Sequence, residues 1–156
     1  MAQFSRHAVL EWTGDVTTGT GHVTGASGAF TAGATFPSIS GGAPSLTTPE
    51  ELLAASHAVC FGIGVRGLIA RRGGHADRVS VTATITAEKG RDGIRIQSAH
   101  LRSVVTGLQG ISEAELLEIN KTVEQSCTIS AALQGNVVIT STMHMTSNEP
   151  PRTSGP

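Results

Sequence analysis

Thr48-Pro49-Glu50-Glu51-Leu52-Leu53-Ala54-Ala55-Ser56-His57-Ala58-Val59-Cys60-Phe61 is the stretch around which the rest of the chain is organised. Thr48 suits a helix cap and Pro49 the first helical position, and Glu50 and Glu51 face the positive end of the helix dipole. The helix is expected to run to about Arg72, where Gly73-Gly74 stop it and Arg66, Arg71 and Arg72 suit its negative end. Ala54, Ala55, Ser56, Ala58, Gly62 and Gly64 make it small-sided and apolar. A helix of that composition is expected to be buried near the centre of the fold or assembly.

Short strands are expected over residues 7–12 and 18–24, joined by a turn at Thr13-Gly14-Asp15, as a hairpin-like start. Residues 31–48 hold Gly33, Pro37, Gly41, Gly42 and Pro44 without periodicity and read as a long loop. After the helix, Arg78–Thr86 and Gly93–Val105 alternate apolar with polar residues around a turn at Gly90–Gly93. A second helix is expected over 112–126, with Ser112 as cap, then a brief helical stretch at 130–133 and a last strand over 136–145. The order β-β-α-β-β-α-β gives an α+β domain with an antiparallel sheet against two helices. One domain over 1–146 is expected, with a disordered tail over 147–156.

Among 156 residues the formal net charge is −1, and no Lys/Arg run marks a nucleic-acid surface. No apolar stretch is read as reaching the roughly 20 residues that cross a bilayer. The N-terminal MAQFSRHAVLEW lacks the layout of a signal peptide, so a cytoplasmic, reducing setting is the expectation. In such a setting cysteines are free, catalytic or redox-sensing more often than structurally bridged.

The chain has two cysteines, Cys60 and Cys127, 67 positions apart. Neither lies in a CxxC or another short metal-ligand spacing, so only folding can pair them. Both readings stay open on spacing alone: small apolar fillers, or a thiol pair that does chemistry. Cys127 ends a polar helix just before another begins, a position not expected to be sealed away. Helical spacing sets His57, Cys60 and Gly64 on adjoining positions of one face.

Thr48–Phe61 resembles the NPEELxAAAHAACF helix of the OsmC/Ohr family, the osmotically inducible and organic hydroperoxide resistance proteins. Cys127-Thr128-Ile129-Ser130-Ala131-Ala132-Leu133 is similar to that family's CPVSxAL, and HAVLEWTGDVTTGTGHVTGASG to its N-terminal hairpins. The resemblance implies an intertwined homodimer whose sheets wrap central helices, and a thiol-dependent peroxidase that needs no metal or organic cofactor. It implies Cys60 as the peroxidatic thiolate, Cys127 as the resolving thiol and Glu50 as a supporting acid. An organic hydroperoxide is the implied substrate and a dithiol the implied reductant. Glu50 lies ten positions before Cys60, about 15 Å of helix rise, so in an antiparallel helix pair it meets the partner's thiol rather than its own. A first-turn acid complementing the dipole is the other role open to it.

Two positions depart from the family pattern. The family places an activating arginine in the N-terminal hairpin, and here no Arg or Lys occurs between Arg6 and Arg66. A free cysteine titrates at about 8.5, and apolar burial or a carboxylate raises it. A compensating cation is therefore sought, with His57 and Arg6 as candidates; a packed or solvent-facing histidine is the competing account of His57. Arg66, Arg71 and Arg72 fit a solvated helix end. Thr128 stands where the family usually has proline, leaving the turn after Cys127 less rigid.

The segment Gly19–Gly25 reads as a hairpin turn rather than a phosphate loop, His7, His22, His75, His100 and His144 form no metal motif, and Ser56 and Ser130 lack a nucleophile context. The second functional expectation is an OsmC-fold protein without peroxidase activity that binds a small apolar ligand or senses redox state.

Overall fold

The computed structural model describes residues 1–36 and 46–147. Half of the expected loop (37–45) and nearly all of the expected tail (148–156) lie outside the described residues. The chain divides into two compact units, Met1–Leu52 and Leu53–Pro156.

In the first unit β1 (Ala8–Thr13) and β2 (Thr20–Gly25) form the expected antiparallel hairpin, with Leu10 opposite Val23. The span expected to be only loop also contributes strands at both ends. β3 (Thr31–Ala34) adds antiparallel to β2, and β4 (Leu46–Thr47) adds parallel to β3. Small residues there gave no apolar alternation to read, and partner strands rather than propensity hold them in a sheet.

The helix α1 (Pro49–Arg71) starts as its sequence dictates: the Glu51 amide donates to the Thr48 hydroxyl at 3.3 Å, and the Thr47 hydroxyl donates to the Glu51 carboxylate at 2.7 Å. It ends at Gly73, whose φ of +76° suits glycine, and the Gly74 amide reaches back to the Ile69 carbonyl at 2.9 Å. Within the single chain one face of the helix is buried and another exposed. His57, Phe61, Val65 and Ile69 form one buried stripe, whereas Val59 and Ile63 are 61% and 69% exposed. A correction concerns hydropathy: α1 has 23 residues and an 18-residue window of mean hydropathy 1.7, long and apolar enough by length and composition to cross a membrane.

In the second unit β5 (Arg78–Gly90) pairs antiparallel with β6 (Gly93–Thr106), and β7 (Val138–Thr146) pairs parallel with β6. The single antiparallel sheet expected from sequence is thus two mixed sheets, β1-β2-β3-β4 and β5-β6-β7. A parallel pair requires a crossover. It is supplied by α2 (Glu113–Ser126) and α3 (Thr128–Leu133), the latter being the brief helical stretch expected at 130–133, begun two residues earlier. Ser112 and Glu115 form a reciprocal capping box at the start of α2. Burial of Leu116, Ile119 and Val123 follows the helical repeat. These side chains join Phe61, Val65, Ile69, Leu101, Val105 and Met143 in one core.

Gly64 sets how closely α1 approaches α2. A Cβ there would lie 2.9 Å from Val123 Cγ1. Gly64→Val is expected to lower unfolding free energy by about 1–3 kcal/mol through overpacking. In urea denaturation, the Gly64→Val/Val123→Ala double variant is expected to lose less than the sum of the two single changes.

Candidate active site

Tertiary packing brings together the two residues that spacing left apart. Cys60 lies one turn beyond His57 on the buried side of α1, and Cys127 lies between α2 and α3, where it is the N-cap of α3. The Cys127 thiol donates to the Cys60 sulfur across 3.0 Å, and both are free thiols. The expectation that Cys127 is not sealed away is reversed. Cys127 is 4% exposed while Cys60 is half-buried, because the α2–α3 junction folds inward onto the core.

The thiols differ in acidity. Burial raises the Cys60 pKa, but hydrogen bonds outweigh it and hold the group below the ordinary cysteine value. They come from the Cys127 thiol, the Ile129 and Thr128 amides and the Thr128 hydroxyl. Cys127 is pushed up, first by burial and then by its bond to Cys60; opposing hydrogen bonds from Ser130 and the Ile129 amide do not cancel this. The geometry therefore sets an accessible, more acidic thiol against a sealed, less acidic one. A disulfide requires the sulfurs to close from 3.0 Å to about 2.05 Å.

Thr128 has more consequence than its sequence context indicated. A proline at 128 would offer neither the amide nor the hydroxyl that Cys60 receives here. The signal was present in the residue type, but its target lies on another helix.

His57, one of the candidates named from sequence, is not the cation sought for Cys60. His57 is fully buried, and burial lowers its pKa, so it is held neutral. Its Nε2 meets the Ser130 hydroxyl at 2.8 Å. Arg6 is exposed, donates to the Ser5 carbonyl at 2.8 Å and lies over the Phe4 ring. Arg66 donates to the Ala76 carbonyl and Arg72 to the Glu115 carbonyl, so both tie down backbone as well as complementing the helix end. Glu50 occupies the first turn of α1, half-buried, where it complements the dipole. Among the described residues, no three His, Cys, Asp or Glu side chains gather as metal ligands.

The family model for OsmC-like proteins matches residues 42–142. The chain belongs to the OsmC/Ohr family. It is 27% identical over 93 residues to the peroxiredoxin OsmC of Escherichia coli strain K12, an alignment covering 60% of this chain and 64% of that protein. The chain thus spans a little under two thirds of that relative's length.

Solved structures share the fold more widely than the sequence. The organic hydroperoxide resistance protein of Elizabethkingia anophelis superposes with a TM-score of 0.74 at 22% identity, covering 93% of this chain and 99% of that one. The OsmC protein of Legionella pneumophila gives 0.71 at 22% identity, with 92% and 98% covered. OhrB of Bacillus subtilis gives 0.67 at 20% identity, with 88% and 98% covered.

Burial of neutral His57 has a pH signature. The unfolded chain takes up a proton at about pH 6.5 that the folded chain refuses. Stability is therefore full above that value and declines as the pH falls below it, until the folded histidine is protonated too. Urea midpoints measured between about pH 7 and 5 are expected to fall in the wild type and to fall less steeply in His57→Gln.

Proposed function

We propose that this protein is a thiol-dependent peroxidase that reduces organic hydroperoxides to alcohols. The observation that carries the reading is the 3.0 Å contact between the half-buried Cys60 sulfur and the buried Cys127 sulfur. Membership of a family with a relative named peroxiredoxin supports it. The Cys60 thiolate attacks the outer oxygen of the hydroperoxide; the O–O bond breaks and the alcohol departs with a proton, leaving Cys60 as a sulfenic acid. Cys127 then attacks the Cys60 sulfur, water leaves, and a disulfide forms that an external dithiol reopens.

Turnover of cumene hydroperoxide with dihydrolipoamide is expected for the wild type and is lost in Cys60→Ser. Cys127→Ser retains a single reduction and leaves a sulfenic acid that dimedone captures. Absence of turnover, or turnover that survives Cys60→Ser, defeats the reading. The competing binding or sensing role is favoured by an observation of its own: among the described residues, the groups acting on Cys60 are hydrogen-bond donors and no cation is among them. Slow alkylation of Cys60 at about pH 6 supports that role, and rapid alkylation excludes it.

The reading includes a homodimer. Val59 and Ile63 occupy one exposed, apolar side of α1 at i, i+4 spacing, opposite the buried stripe. A second subunit covering this side removes both from water. Ile63→Glu is expected to convert the dimer to a folded monomer in sedimentation velocity; an unchanged dimer places the interface elsewhere.

A further inference from the structure

Oxidation joins Cys60 and Cys127 in a symmetric bond, yet the two ends of that bond lie in unlike surroundings. Cys127 is 4% exposed and belongs to the core cluster, whereas Cys60 is half-buried and packs against that cluster. The backbone pins Cys127 on both sides. Its amide donates to the Val123 carbonyl at 2.8 Å, and its carbonyl accepts from the Ala131 amide at 2.9 Å. Exposing this sulfur therefore means breaking the α2–α3 junction. Cys60 needs no such opening. Its neighbours on α1 at i−4 and i+3, Ser56 and Ile63, are exposed, so it lies on the border between the buried stripe and the exposed side.

A dithiol can open a disulfide at either sulfur, and here two effects compete. Leaving-group acidity favours attack on Cys127, because Cys60 is the more acidic thiol and departs more readily. Access favours attack on Cys60. The entering sulfur approaches on the side opposite the leaving one, and sealed Cys127 offers no open side. Acidity changes exchange rates in a graded way, about threefold per unit of pKa in the attacking thiol. A sealed sulfur reacts only in molecules that have opened locally, and breaking a helix junction within the core keeps that population small. Access decides.

We infer that the reductant attacks Cys60 and expels Cys127, so that Cys60 alone exchanges bonds with molecules from outside and Cys127 bonds only within the chain. This rests on the peroxidase reading, which already requires a path for the hydroperoxide to the Cys60 sulfur; the same path serves the dithiol. One thiolate of the dithiol bonds to the Cys60 sulfur as the Cys60–Cys127 bond breaks. The electron pair goes to Cys127, which takes up the proton released by the entering thiol. The second thiolate of the dithiol then attacks its own bound sulfur, and Cys60 leaves as a thiolate. The dithiol is oxidised to a cyclic disulfide, and both cysteines are reduced. Cys127 is thereby returned to its 3.0 Å contact with Cys60.

The test starts from the full chain closed to the disulfide with diamide, a step that needs no hydroperoxide. The oxidised protein is mixed with 2-mercaptoethanol, which cannot cyclise, and quenched at early times into guanidinium chloride containing N-ethylmaleimide. Peptide mass spectrometry is expected to find mercaptoethanol on Cys60 and maleimide on Cys127, about tenfold over the reverse. Equal labelling, or mercaptoethanol mainly on Cys127, overturns the inference. Failure of diamide to close the pair overturns it too.

A second measurement decides the matter where the mixed disulfide recloses before it is caught. Iodoacetamide alkylation is compared between Cys127→Ser and Cys60→Ser, each rate divided by the thiolate fraction from ultraviolet absorbance. Cys60 is expected to react about tenfold faster per thiolate, with guanidinium chloride removing the difference. Equal rates in the folded chains overturn the inference. Absence of hydroperoxide turnover in the wild type counts against the peroxidase itself, whereas the labelling pattern is read without it.

Discussion

The hydrogen bond from the Cys127 thiol to the Cys60 sulfur is the contact toward which the second unit is built. It needs α1 to present Cys60 on its buried side, which the spacing of His57, Phe61 and Val65 secures. It also needs the chain to break between α2 and α3 at position 127, which the extended backbone of Cys127 secures (φ −65°, ψ 122°). The parallel pairing of β6 with β7 anchors both ends of that crossover. Hydrogen bonds that outweigh burial at Cys60, and burial together with the bond to Cys60 at Cys127, then separate two chemically identical side chains into a more acidic and a less acidic thiol.

Much of this was legible in the residues. Pro49, Glu50 and Gly73 bracket α1 within one residue of its observed limits, because capping and backbone constraints act locally. Ser112 and Glu115 mark the start of α2 in the same way. The alternation of β5 and β6 gave their pairing, and the two motifs around Cys60 and Cys127 gave the family. What escaped depends on partners distant in sequence. β3 and β4 exist because neighbouring strands accept their hydrogen bonds, and β7 runs parallel to β6 because a crossover returns it that way. Neither relation leaves a periodic trace in its own residues.

The site divides along the same line. Cys60 and Cys127 were identifiable by type and motif, whereas Ser130 was dismissed because its surroundings match no nucleophile pattern. Its hydroxyl meets the buried His57, a partner 73 positions away on another helix, and that depends on placement in three dimensions. Thr128 was read only for the rigidity that proline would give, while its donors reach a sulfur on another helix. His57 was considered as a cation; burial makes it a neutral hydrogen-bonding group instead.

The distance between the cysteines along the chain has a mechanical side. A Cys60–Cys127 disulfide closes a loop of 67 residues that includes β5, β6 and α2. In the chain-entropy treatment, such a cross-link restricts the unfolded chain by about 4 kcal/mol. Each oxidation therefore staples most of a unit shut and each reduction releases it, so a catalytic cycle through this pair alternates between a tightly and a loosely tethered polypeptide. Reductant supply then governs resistance to unfolding as well as turnover, and a starved, oxidised population is the more durable one.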